Sequence, residues 1–174
     1  EARKKGIETI VDFFGRRLAR SLADQDKKAD LLIGNNVLAH VPDLNDFVAG
    51  LKILLKPQGI ITFEFPHLLK LMQENQFDTI YHEHLEYYGL KQIVWLAEKA
   101  GLKIVDVELN DINGGSFSVV AALSTSRHTD SHGRVAALLA NEEAAGLSDL
   151  APYQTFFEHT KQSRVSLREF MGKV

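Results

Sequence analysis

With 174 residues, 45% hydrophobic and 25% charged, and a formal net charge of −3, the chain has the size and usage of one globular domain with a real core. It contains no cysteine, which excludes disulfides and thiolate metal sites, and Arg16-Arg17 and Lys27-Lys28 are too sparse for a nucleic-acid-binding face. No apolar run approaches the roughly 20 residues of a membrane span and no signal peptide is visible, so a cytoplasmic protein without membrane contact is the expectation.

Glu1-Ala2-Arg3-Lys4-Lys5-Gly6 reads as the last turn of a helix closed by a C-cap glycine, so the chain is expected to enter in the middle of a fold. Residues 7–14 form a β-branched and aromatic run that predicts a strand. A short helix is expected over 16–23, with Leu18 and Leu22 one turn apart. Residues 29–34 are apolar in succession, as a buried parallel strand would be. Asn35 to Pro42 then reads as a loop with one turn of helix. Asp43 or Asn45 caps the next helix, which carries Leu44, Phe47, Val48, Leu51, Leu54 and Leu55 and stops at Lys56-Pro57-Gln58-Gly59. Residues 59–65 are the third strand, residues 90–100 a helix ended by Gly101, and residues 102–110 the fourth strand. Asn113-Gly114-Gly115 makes a turn into a fifth strand over 116–123. A polar linker over 124–133 leads to helices over 135–145 and 152–174.

Strands and helices in this order argue a mostly parallel α/β sheet with one reversed strand at its end. Ligands of such sheets bind beyond the carboxyl ends of the strands, from which Asn35-Asn36 and residues 65–84 both leave. The second of these segments is the densest in chemistry: Tyr81-His82-Glu83-His84 puts two imidazoles, a carboxylate and a phenol side by side. Histidine titrates near neutrality, and a neighbouring carboxylate or phenol tunes it or fixes its tautomer. A helical segment would place Tyr81 and His84 on one face, an extended one His82 and His84. His67, His128, His132 and His159 lack such context and read as surface residues.

Asn35-Asn36-Val37-Leu38-Ala39-His40-Val41-Pro42-Asp43 followed by Leu54-Leu55-Lys56-Pro57-Gln58-Gly59 and a strand resembles the second half of class I methyltransferases. Glu64-Phe65-Pro66, the stretch from Asn75 to His84, and Asn113-Gly114-Gly115-Ser116 narrow the resemblance to sugar C-methyltransferases, which methylate C-3 of nucleotide-linked 4-keto-deoxysugars. The resemblance runs from Glu1 to about Leu123 and more weakly beyond. It implies a Rossmann-like, mostly parallel sheet with helices on both faces, incomplete at its N-terminus, and helices that begin a further C-terminal domain. The family's cysteine-rich zinc domain and glycine-rich cofactor loop have no counterpart here, so the chain resembles a middle portion of that family.

The resemblance implies S-adenosylmethionine as cofactor and a nucleotide-linked sugar as substrate, with oligomeric state left open. It makes His84 the base that generates an enolate, with Tyr81 positioning the sugar or sharing the proton. Glu83 then orients an imidazole, and His40 donates to the ketone or enolate oxygen. Asp12 and Phe13 are expected around the adenine, with Phe13 or Phe14 given to the core, and Asn35 and Asn36 along the methionine side. His82, Asn113 and Gly114 are expected near the substrate, and no metal is implied. Two other readings stand beside this one: a binding or interaction module on the same sheet, and a metal-assisted hydrolase built on His82 and His84.

Overall fold

The helices begin and end where local chemistry dictates. In the computed structural model, which describes residues 1–130 and 132–173, the elements in chain order are α1 (Arg16–Ala23), β1 (Ala29–Asn35), α2 (Leu44–Leu54), β2 (Leu55–Pro66), α3 (Leu68–Gln73), α4 (Leu90–Ala100), β3 (Leu102–Asn110), β4 (Ser116–Leu123), α5 (Arg134–Ala144) and α6 (Ala151–Met171). The Asp43 carboxylate caps α2 by accepting from the Asp46 amide at 2.9 Å. Gly101 closes α4 at φ 75°, a conformation that glycine adopts without a Cβ penalty. Single 3₁₀ turns stand at Leu38–His40, Phe77–Thr79 and Ile112–Gly114. Ser131 in the expected linker and Val174 at the end of the last expected helix lie outside the described residues.

The sheet has the order β1-β2-β4-β3, with β1 and β2 parallel and β4 antiparallel to both its neighbours. The mixed α/β fold is the expected one, but the reversed strand is inside the sheet rather than at its end. Burial fits its place: Phe117, Val119, Ala121 and Ala122 are at most 1% exposed, as in an interior strand paired on both edges.

A second difference concerns the layers. The helices that touch the sheet, α2, α4 and α5, pack side by side on one face, over Ile61, Phe63, Phe65, Phe117, Val119 and Val107. Leu31 and Ile33 on β1 stay 49% and 68% exposed, so the expected helices on both faces are not seen among the described residues. Leu138 of α5 joins the main core, while Leu69, Leu71 and Met72 of α3 form a smaller one with Leu147 and Phe156. The helical region after the linker therefore shares its packing with the sheet.

Residues 7–14 are not a strand. Ile7, Ile10, Val11 and Phe13 are 49–94% exposed: the run has strand composition, but among the described residues it pairs with no strand, and only Phe14 reaches the core. No described helix is long and apolar enough to cross a membrane.

Candidate active site

Two loops leave the carboxyl ends of β1 and β2 and are tied together. Asn36 takes a left-handed backbone (φ 52°) as β1 ends, and its amide donates to Glu64 O at 2.7 Å. The 3₁₀ turn that follows presents His40. From β2, α3 carries the chain to Asn75, also left-handed at φ 52°, and into residues 76–88. The Leu85 amide donates to Ala39 O at 2.8 Å, and His40 Nδ1 lies 2.8 Å from Glu83 O.

The Tyr81–His84 segment is a turn, closed by the His84 amide on Tyr81 O at 3.1 Å. The turn places Tyr81 and His84 together, with the phenol oxygen 3.1 Å from His84 Nε2 and the rings 4.3 Å apart. His84 Nδ1 lies 2.8 Å from Thr79 O. A carbonyl only accepts, so Nδ1 carries the hydrogen and neutral His84 keeps its lone pair on Nε2, where the Tyr81 hydroxyl donates. The same logic fixes His40, whose Nδ1–H is spent on Glu83 O. The two imidazoles stand 4.8 Å apart.

Glu83 thus orients an imidazole through its backbone carbonyl, not its carboxylate, which is exposed and 3.9 Å from His82 Nε2. His82 points outward with a side chain 90% exposed, so it does not join His84, and the pairing of those two histidines required by a hydrolase reading is not formed. Among the described residues no group of three histidine or carboxylate side chains is arranged to hold a metal ion.

Beside His40 opens a cavity of about 480 Å³, walled by Asp12, Phe13, Asn36, Val37 and Phe47. Phe13 is 94% exposed, while Phe14 turns in and meets Phe47 edge-on at 5.4 Å. The Arg17 guanidinium grips both Asp12 carboxylate oxygens, at 2.7 and 2.6 Å, and holds that carboxyl below its usual range. Asn36 lines this wall; Asn35, the last residue of β1 and the register partner of Glu64, does not.

The β3–β4 turn reaches the same place. Asn113 Nδ2 donates to Asn36 Oδ1 at 3.4 Å, and Gly114 O accepts from Gln76 Nε2 at 2.5 Å. Gly115 sits at φ 127°, where a Cβ would fall 2.2 Å from Lys70 Cγ. Cofactor-side and substrate-side candidates are therefore neighbours through this turn.

Three features were missed in the sequence. Thr79 supplies the carbonyl that sets the His84 tautomer. Burial raises the Glu86 carboxyl, and it raises the Tyr88 phenol with help from that neighbouring carboxylate, in a small cavity that His84 also lines. His67 is not on the surface: it is 2% exposed, with Nε2 2.8 Å from Glu142 Oε1. Its partner lies on α5, and no local pattern announces the pair.

Comparison with known proteins finds two family matches that meet near the end of β3. Residues 3–107 match the family described as "Methyltransferase domain", and residues 111–174 match "C-methyltransferase C-terminal domain". The C-methyltransferase NovU of Streptomyces niveus is 36% identical over 173 residues, which are 99% of this chain and 41% of that protein. The chain thus spans less than half the length of this curated relative. Among solved structures, magnesium protoporphyrin IX methyltransferase (ChlM) from Synechocystis PCC 6803 with bound SAH overlays at TM-score 0.43 and 17% identity, over 55% of this chain and 45% of that one. TnmH overlays at TM-score 0.43 and 22% identity, over 55% and 31% of the two chains. These partial overlays assign no residue a role.

Proposed function

The chain belongs to the methyltransferase-domain family, and from that premise we propose that the protein is an S-adenosylmethionine-dependent C-methyltransferase that methylates C-3 of a nucleotide-linked 4-keto-deoxysugar. The match of residues 111–174 to a C-methyltransferase domain and the 36% identity to NovU support the reaction class. The observation that carries the reading is the Tyr81–His84–His40 cluster, in which a lone pair on His84 Nε2 is held ready beside a cavity of cofactor size.

The cavity residues fit the adenosine end of the cofactor. The bare Phe13 ring is a stacking surface, and the ionised Asp12 keeps lone pairs for an exocyclic amine beyond those that Arg17 occupies. Asn36 offers a carboxamide toward the methionine side, a role that Asn35 does not share. When bound, S-adenosylmethionine supplies the electrophilic methyl group for a carbon nucleophile.

The protein's own task is to make that nucleophile. His84 Nε2 accepts the C-3 proton as the substrate displaces the Tyr81 hydroxyl, and the electron pair moves onto the ketone oxygen as an enolate. The Nδ1–H bond to Thr79 O steadies the resulting imidazolium. The released Tyr81 hydroxyl donates to the enolate oxygen, where charge develops. His40 has its Nδ1–H committed to Glu83 O, so it donates at Nε2 only as the imidazolium. Asn113 and Gly114 flank the sugar from the neighbouring turn, while His82 and the Glu83 carboxylate, both facing solvent, are left outside the reacting group.

This chain alone is expected to be inactive, so the test is calorimetric titration of S-adenosylhomocysteine into a protein that carries this chain together with a glycine-rich cofactor loop, followed by mass spectrometry of a nucleotide-linked 4-keto-deoxysugar deuterated at C-3. Saturable binding, loss of the deuterium and gain of one methyl group are expected. Absence of binding, or methylation with the C-3 deuterium retained, would overturn the reading.

A further inference from the structure

His67 and Glu142 form a dyad that the reaction above does not use. Their side chains are 3% and 4% exposed. Glu142 Oε1 accepts from His67 Nε2 at 2.8 Å and from the Leu90 amide at 2.6 Å, and Oε2 accepts from the Lys91 amide at 3.2 Å. A carboxylate fixed in this way holds the hydrogen of neutral His67 on Nε2 and leaves the lone pair on Nδ1. Among the described residues nothing donates to that Nδ1, although the ring is buried and packed 4.8 Å from Phe117.

The imidazole is part of the wall of a second cavity, of about 270 Å³, shared with Lys70, Asn110, Asp111, Ser116 and Asn141. The β3–β4 turn separates this cavity from the larger one: Asn113 reaches Asn36 on one side, and Gly115 and Ser116 line the other. The volume is below the roughly 300–1,000 Å³ of sites for drug-sized ligands, which suits one sugar ring better than a whole nucleotide.

The wall selects the chemistry of its ligand. His67 Nδ1, with its lone pair, accepts a donor. Ser116 Oγ donates to Ile112 O at 2.9 Å and so presents lone pairs to the cavity. Lys70 is the one cation on the wall, and its ammonium is bonded by Glu74 at 2.8 Å and faced by Asp111. A diphosphate brings only acceptors and negative charge, so it supplies no donor to His67 Nδ1 and meets a cation already paired with Glu74 and faced by Asp111. Resting on the sugar-nucleotide reading above, we infer that the His67–Glu142 cavity is a subsite for an uncharged, hydroxyl-bearing ring of the substrate, with one hydroxyl donating to His67 Nδ1. Two rings of such a substrate fit this chemistry, the ribose and a deoxyhexose.

The experiment follows the His67 Cε1–H and Ser116 amide signals by NMR. Methyl ribofuranoside, the methyl glycoside of a 6-deoxyhexose and inorganic pyrophosphate are titrated separately into the chain. One of the two sugars is expected to move both signals saturably, and which one does identifies the ring; pyrophosphate is expected to leave them in place. His67→Gln should weaken that binding about tenfold, in line with loss of one buried hydrogen bond. Asn141→Ala, at the exposed rim, leaves the dyad intact and should weaken it about threefold. No response to either sugar, an equal response to pyrophosphate, or unchanged affinity in both variants would overturn the inference. Because His67 and Ser116 line the smaller cavity and not the larger one, a sugar response there without binding of S-adenosylhomocysteine would remove the methyltransferase reading and keep the subsite.

Discussion

The Tyr81 hydroxyl lies 3.1 Å from His84 Nε2, on the nitrogen opposite the one that Thr79 O holds. One imidazole is thereby gripped at both ends, by an acceptor that fixes its tautomer and by a donor that leaves when something better arrives. Replacing it should separate binding from chemistry. His84→Ala is expected to lower turnover by about 10²–10⁴-fold, the usual worth of a general base, with affinity for S-adenosylhomocysteine retained. Tyr81→Phe should lose less. Parallel rate and calorimetric measurements check this, and loss of cofactor affinity in His84→Ala would move His84 to the other site.

Phe13 offers the opposite test. It is 94% exposed and contributes nothing to the core, so Phe13→Ala should leave the melting temperature unchanged. Base–aromatic stacking is worth about 1–3 kcal/mol, so affinity for S-adenosylhomocysteine should fall roughly 5- to 150-fold. Phe14→Ala, by contrast, removes the edge-on contact with Phe47 and should destabilise the fold.

Glu142 is the acid-sensitive point of the packing. Burial pushes its carboxyl up, but the His67 imidazole and the Leu90 and Lys91 amides outweigh burial and hold it below the usual carboxylate range. A folded pKa depressed in this way gives stability that is present above the unfolded carboxylate value of about 4.5 and lost as pH falls through the folded value. Glu142→Ala should cost about 1–3 kcal/mol at neutral pH for each buried donor it strands, the His67 Nε2–H and the Leu90 and Lys91 amides. Urea melts across pH should show the variant's deficit shrinking toward acid.

Gly115 tests the turn between the two cavities. At φ 127° an alanine is strained wherever it points, and its Cβ would meet the Lys70 stem near its root. Gly115→Ala should destabilise by about 1–3 kcal/mol in denaturant titration. It should also disturb both cavities, read as weaker binding of cofactor analogue and substrate together.

Much of the layout was legible because it is local. The helix over Leu90–Ala100 announces itself by spacing and by Gly101, and the capping of α2 by Asp43 is written in the residue just before the helix. What failed was what depends on distant partners. Residues 7–14 have the composition of a strand, yet strand formation is settled by a neighbour that composition does not reveal. The six residues of α3 are too few for a helical period to show after Pro66. The insertion of β4 between β2 and β3 is a matter of pairing, not of pattern. The same holds for chemistry: Tyr81 and His84 are three residues apart and were visible as a pair, whereas His67 and Glu142 are 75 apart and were not.

The interior position of β4 also sets an order of events on the ribosome. When residues 55–110 have been synthesised, β2 and β3 exist as sequence but have no direct hydrogen bonds to share, since each pairs with residues 116–123 instead. Until that stretch emerges, β2 and β3 wait with open edges, the condition in which nascent chains pair wrongly. A chain released just before Ser116 would hold every residue of the Tyr81–His84 cluster and only the β1–β2 pair of the sheet that presents it.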